Sequence, residues 1–251
     1  MRQIHIGQEY AVNIDGTSDG TQDKYYKDGI WYKTDRFGGE GFNEYVASRI
    51  LECTSIQNFV KYEEVEINGI PGCQSANFLA DDEEYISIYR LHQNLIGTNI
   101  ANLLYKMDFD DQYDYLSRFV KEETNLELSH VVGEIFFVDN LILNEDRHLN
   151  NIGFIYDGNK FRPAPIFDNG KSFFCGNKRY DASKTLKENM AQTKIQPFKL
   201  PRRLLLKKFP VEVSWDWDKV QSLLDELEYR PLHQEVLLTQ IQPYMDKCGI
   251  K

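Results

Sequence analysis

The sequence predicts an α+β chain arranged as two lobes, on three observations. Through residues 1–95 the apolar residues come in short alternating runs separated by Gly- and Asp-containing turns, which is how strands read. From residue 96 they recur at the spacing of helices. One strong hairpin signal, Asp157-Gly158-Asn159, interrupts the helical part between NIGFIYD and KFRPAPIFD. The expectation is an N-lobe over 1–95, made of an antiparallel sheet with one helix, and a helical C-lobe over 96–251. A cleft should separate the two.

Each element has its own local reason. HIGQEYAVNI and YYKDGIWYKTD alternate polar and apolar positions, with turns at DGTSDGT and KDG. EVEING, GCQSANFL and EEYISIYRLH read as further strands. GFNEYVASRILECT breaks the pattern, placing Phe42, Tyr45, Val46, Arg49 and Ile50 at helical spacing, with Asn43 as its cap. In the C-lobe, DFDDQYDYLSRFVKEETN opens on acids and closes near Lys121, the order the helix dipole favours. LELSHVVGEIFFVDNLIL is a buried helix, too interrupted by Glu127, Ser129, His130, Glu134 and Asp139 to span a membrane. From Trp215 to Lys247 two amphipathic helices are expected, parted near Arg230-Pro231.

Composition narrows the function classes. A net charge of −10 weighs against a general nucleic-acid binder, which needs a basic face. The run PFKLPRRLLLKKF at 197–209 is the local exception and reads as a solvated helix face. No apolar window approaches the ~18 residues of a membrane helix, and the first residues carry no apolar leader. Cys53, Cys73, Cys175 and Cys248 are scattered without a CxxC pair, which fits reduced thiols better than a disulfide framework or a zinc site. A cytoplasmic protein, off the membrane and off nucleic acid, is expected.

The stretch NEDRHLNN at 144–151 is densely polar directly after the buried helix. Asp146, Asn151 five residues later, and Asp168 in PIFDNG after the hairpin can turn toward one point. Their oxygen donors suit a hard cation such as Mg²⁺, leaving room for water and substrate phosphates. With two of the three on the metal, the remaining Asp is free to accept the proton of an attacking hydroxyl. Arg147 fits either a carboxylate partner or a phosphate, and His148 fits an orienting role in the loop. In the N-lobe, the turn DGTSDGTQDK offers Gly16, Thr17, Ser18, Gly20 and Thr21 as a phosphate-cradling loop. Lys33 lies in the strand after it, with Lys24 and Lys27 as competing lysines, and Glu44 lies in the first turn of the N-lobe helix.

The order Asp, Asn, hairpin, Asp-x-Gly is the catalytic logic of protein kinases, written here as D-R-H and D-N-G instead of H-R-D and D-F-G. D-R-H-x-x-N with a later D-x-G resembles the phosphoinositide-kinase-like branch. N-x-D-R-H-x-x-N-x-G-F together with P-x-F-D-N-G resembles the bacterial HipA-like kinases, in a short form without their extra N-terminal subdomain. The resemblance spans about residues 15–172. It implies a bilobal protein-kinase-like fold, ATP and Mg²⁺, and transfer to Ser or Thr of a protein. It gives Asp146 the role of base and Asn151 and Asp168 the metal, gives Lys33, held by Glu44, the phosphate-neutralising role, and groups Asp146, Arg147 and His148 as catalytic. It also implies a small antitoxin-like partner, and autophosphorylation of the loop at Thr17, Ser18 or Thr21. Two other readings stand beside it: a kinase for a lipid or small-molecule hydroxyl, and a non-catalytic nucleotide-binding regulator.

Overall fold

Short Asx-Gly turns organise the N-lobe. In the computed structural model, which describes residues 1–12, 22–198 and 200–250, the first elements are β1 (Arg2–Ile4), β2 (Lys24–Lys27) and β3 (Ile30–Thr34). They are followed by α1 (Glu40–Glu52), β4 (Glu63–Ile67) and β5 (Ile70–Ala76). Asp28-Gly29 joins β2 to β3 and Asn68-Gly69 joins β4 to β5. All four residues have positive φ, the primed-turn geometry that matches strand twist. Among the described residues the five strands form one sheet in the order β1-β4-β5-β3-β2.

Two details depart from the expectation. The sheet is mixed, because β1 runs parallel to β4 with Arg2 opposite Val65. The strand also stops at Ile4, where HIGQEYAVNI was expected to continue it; Gln8–Tyr10 is instead a 3₁₀ turn. The side chain of Asn68 explains the second, since it accepts from the Ile6 N–H at 3.0 Å and donates to the Ile6 carbonyl at 2.9 Å. It pins the chain at the end of the ladder. Beyond it Ile6 is buried on Tyr25, Val65 and Ile67, with Tyr10 packed against them.

Helix α1 lies against the sheet at an unusually close approach. A Cβ on Gly41 would fall 2.4 Å from the Gly72 carbonyl carbon, and one on Gly72 would fall 2.1 Å from the Lys33 oxygen. Glycine at 41 lets helix and strand meet there, and glycine at 72 lets β5 lie against β3. The expected cap, Asn43, lies inside the helix. Gly39, at φ +107°, begins it, and the Asp35 carboxylate accepts from the Gly39 and Gly41 N–H groups.

EEYISIYRLH is half strand, β6 (Glu84–Ser87), and half helix, α2 (Ile88–Ile96), because the Ser87 hydroxyl caps the helix through the Arg90 N–H. The helices α3 (Ile100–Leu104), α4 (Phe109–Thr124) and α5 (Leu128–Ile142) follow. The hairpin is β7 (Gly153–Tyr156) with β8 (Phe161–Pro163), and β6 pairs antiparallel with β7. Beyond it come α6 (Leu186–Gln192), the short pair β9 (Lys194–Ile195) and β10 (Leu200–Pro201), and α7 (Arg202–Lys208). The chain closes with α8 (Trp217–Glu226) and α9 (Pro231–Cys248), as the tail predicted. Phe136, Val138, Leu141 and Ile142 of α5 form the middle of the core, with α4, α7 and α9 packed around them. Among the described residues no helix is long and apolar enough to cross a membrane.

Candidate active site

Three segments far apart in sequence meet at one lysine. Lys33, on β3, directs its Nζ to Glu44 Oε1 of α1 at 3.0 Å and to Asp168 Oδ1 at 3.1 Å. Burial works against the ammonium, but the two carboxylates overcome it and raise its affinity for a proton well above the usual lysine value. Asp168 is held far below the usual carboxylate range: Lys33 and Lys24 outweigh its burial. At Glu44 burial wins, and the carboxyl is lifted above its ordinary value against the pull of Lys33. Lys24 sits opposite Lys33 in register on β2, so both compete for the same space and both reach it.

The DNG segment after the hairpin is fixed from three sides. Asp168 has a left-handed backbone, φ +61°, and turns its carboxylate toward Lys33. The Asn169 N–H donates to Glu44 Oε2 at 2.8 Å. Asn43 Nδ2 donates to the carbonyls of Gly170 and Ser172 at 2.8 and 3.0 Å. From the C-lobe, Arg147 Nη1 donates to the Phe167 carbonyl at 2.5 Å and Nη2 to Asn169 Oδ1 at 2.7 Å.

That last contact decides the role of Arg147. Its guanidinium is fully buried, as is Asp139, with Nη2 3.0 Å from Asp139 Oδ1 and Nε donating to the same carboxylate. Asn144 also donates to Asp139, and its own Oδ1 accepts from the Asp146 N–H at 3.0 Å. Leu143, at φ +57°, ends α5 and starts this turn. Arg147 is therefore a positioning residue that ties the NEDRHLNN loop to the DNG segment. Of the two partners the sequence left open for it, a carboxylate or a phosphate, the structure shows the carboxylate. His148 is half-buried, and its Nδ1 has no hydrogen-bond partner among the described residues.

Asn151 is buried, and with Asp168, Lys24 and Lys33 it lines an interlobe cleft of about 390 Å³. Asp146 opens onto an adjoining cleft of about 320 Å³. Partial loss of hydration and the nearby charge of Asp168 raise the Asp146 carboxyl above its ordinary value, with His148 and Lys171 opposing. The larger cleft has aromatic walls: Phe78 and Tyr85 pack on Phe167 with ring centroids 5.6 and 5.3 Å away, and Trp31 closes the strand side. Tyr85 also donates to the Asn150 carbonyl at 2.8 Å, bracing the loop from β6. The expected phosphate loop, Gly16, Thr17, Ser18, Gly20 and Thr21, lies outside the described residues.

The residues that sequence reasoning did not assign are the braces. Asp139 was visible only as an interruption in an apolar helix. A lone carboxylate there, with an arginine eight positions on, was the available signal. Asn43 gave a cap signal instead of a latch signal, and the aromatic walls of the cleft gave none.

No family model matches this sequence, and no curated protein sequence does. Among solved structures, the chain is similar to a proinflammatory kinase of Helicobacter pylori, CtkA, with a TM-score of 0.60 and 17% identity over 90% of each chain. It is also similar to HipA of Shewanella oneidensis MR-1, in a toxin–antitoxin complex with HipB and operator DNA. There the TM-score is 0.48 and the identity 13%, over 96% of this chain and 67% of the other. At 17% identity the likeness to the Helicobacter protein establishes a shared fold: the bilobal kinase-like architecture expected from the sequence is the one this chain has.

Proposed function

We propose that the chain is a HipA-like kinase that transfers the γ-phosphate of ATP to a Ser or Thr hydroxyl of a protein. The observation that carries this reading is the partly buried Lys33–Glu44–Asp168 cluster, which faces the same cleft as Asn151 and has Asp146 beside it. Lys33, aimed by Glu44, meets the phosphates of the nucleotide, and Lys24 adds a second positive charge from the next strand. The aromatic walls give the base an apolar slot.

The donor set fits Mg²⁺. Asn151 and Asp168 offer oxygen alone, and among the described residues no three His, Cys, Asp or Glu side chains gather about one point. A cation here takes its remaining ligands from water and from the nucleotide. When bound, it neutralises charge on the phosphates undergoing transfer. Asp146 accepts the acceptor's proton as the new oxygen–phosphorus bond forms and ADP departs. Its raised proton affinity suits that task, and a positioned base of this kind is worth ~10²–10⁴ in rate. The loop at 16–21 covers the phosphates and offers Thr17, Ser18 or Thr21 for autophosphorylation. A small antitoxin-like partner belongs to the same reading, on the motif resemblance.

Mass spectrometry of the purified chain after incubation with ATP and Mg²⁺ tests the proposal, alongside Asp146→Asn and Asp168→Ala. Phosphorylation is expected in the wild type. Asp146→Asn should lose at least ~10² of the rate and keep nucleotide binding, while Asp168→Ala should lose both transfer and Mg²⁺-dependent binding. Transfer at the wild-type rate from both variants would end the assignment.

A further inference from the structure

The cleft beside Asp146 is flanked by an excess of basic side chains on an otherwise acidic chain. Residues 171–194 hold Lys171, Lys178, Arg179, Lys184, Lys187 and Lys194 against two acids, Asp181 and Glu188, the second bonded to Thr185, in a chain whose net charge is −10. Lys171, Lys178 and Arg179 line the same cleft as Asp146. The strip is folded, not merely adjacent. Asn189 accepts from the Asp181 N–H at 2.9 Å and donates to the Asp181 carbonyl at 2.9 Å, closing 181–189 into one turn.

Glu145 anchors that turn to the catalytic loop. Its carboxylate accepts from the side chain of Asn177, from Arg179 at 2.6 Å, and from the Lys194 N–H at 3.1 Å. Glu145 is the residue before Asp146, so the whole strip from 177 to 194 is fixed against the acceptor side of the site.

Not every cation in the strip is free for a ligand. Arg179 is held by Glu145, and Lys171 lies 3.6 Å from Glu40 and 3.5 Å from the centre of the Phe37 ring. Lys184 faces Asp181 at 3.9 Å. Lys178, Lys187 and Lys194 are exposed and have no acidic partner among the described residues. Lys187 also stands in the first turn of α6, where the helix dipole disfavours a cation. The charges are left over from the fold's own requirements.

We infer that the acceptor is a Ser or Thr set among acidic residues, with its flanking carboxylates seated on the Lys178–Lys194 strip while its hydroxyl meets Asp146. This rests on the kinase reading above and names its substrate class. A positive strip beside a site on an acidic protein both attracts such a segment and rejects basic ones.

The full chain is tested with Ser peptides flanked by Glu, by Gln or by Lys. Phosphorylation is followed with ATP and Mg²⁺, and binding of the same fluorescent peptides by anisotropy without nucleotide. The Glu-flanked peptide is expected to show about tenfold higher kcat/KM and tighter binding than the Gln-flanked one. The advantage should shrink as salt rises past ~0.1 M, where the screening length falls below ~10 Å. In the double variant K178E/K187E the preference should vanish while KM for ATP stays within about twofold, since neither side chain lines the nucleotide cleft. Equal use of Glu and Gln peptides, or a preference unchanged in the double variant, overturns the inference. So does displacement of the Glu peptide by an equimolar RNA oligonucleotide, which would assign the strip to nucleic acid. If no peptide is phosphorylated, but the Glu peptide binds and the double variant releases it, the kinase reading falls and the strip's preference for acidic segments stands.

Discussion

Lys33 holds two carboxylates apart as well as itself in place. Glu44 is 3% exposed and shares one ammonium with Asp168. Replacing Lys33 by Met keeps most of the volume and removes the charge, leaving two acids facing each other in a partly dry site. Breaking a buried pair in this way costs ~3–5 kcal/mol, and exposure of Asp168 to the cleft places this case at the lower end. The pH dependence gives the sign. Asp168 has a depressed affinity for protons in the folded chain, so its contribution to stability is complete above its unfolded pKa of ~3.9 and is lost as pH falls below that. In Lys33→Met the contribution is gone, and protonation of either acid relieves repulsion. Urea unfolding at pH 7 and pH 5 should therefore show a gap between variant and wild type that narrows at pH 5. A gap that is constant with pH would mean the carboxylates do not depend on Lys33.

At the scale of elements, α5 matters less as a core helix than as the mount for Asp139. The helix itself was legible because its apolar residues run almost unbroken, and so were α4, the hairpin and the order of Asp146, Asn151 and Asp168. Sequence patterns of that kind report burial and spacing. They could not report that Arg147 turns inward, since an arginine in a polar loop is ordinarily solvated. Nor could they show where EEYISIYRLH changes from strand to helix, because one serine cap decides it. The Arg147–Asp139 pair separates stability from positioning. Arg147→Met alone leaves Asp139 buried and unpaired, and should destabilise the chain by ~3–5 kcal/mol. Adding Asp139→Leu should restore most of that in urea unfolding, because an apolar pair of similar volume replaces the ion pair. Phosphotransfer should stay low in the double variant, since the Phe167 carbonyl and Asn169 have lost their donor. Full recovery of activity would show that the guanidinium does not set the DNG geometry.

Across the whole molecule, α1 is the element both lobes share, and the tail that carries no motif is what holds it. One face of α1 meets the sheet at Gly41 and Gly72, and Glu44 and Asn43 reach the DNG segment. A third face is clamped by the last helices: Tyr45 donates to Glu226 at 2.5 Å, Arg230 lies 4.6 Å over the Phe42 ring, and His233 meets Asn43 at 2.8 Å. An Asn and a His 190 positions apart leave no trace in a single sequence, which is why this link was not legible. Asn43 Nδ2 is already donated to Gly170 and Ser172, so its Oδ1 accepts from His233 Nε2–H. Burial, aided by Arg230, lowers the His233 pKa to about 4. The folded chain thus keeps this ring neutral, while the unfolded chain protonates it from ~6.5 downward. Its contribution to stability is complete above pH ~6.5, declines as pH falls toward about 4, and declines no further below that, where both states are charged. His233→Gln retains a donor for Asn43 and cannot titrate. Its melting temperature should fall less steeply than that of the wild type between pH 6.5 and about 4, and the two curves should converge toward parallel above that window. Identical slopes through the window would show that the clamp on α1 does not draw on the neutral histidine.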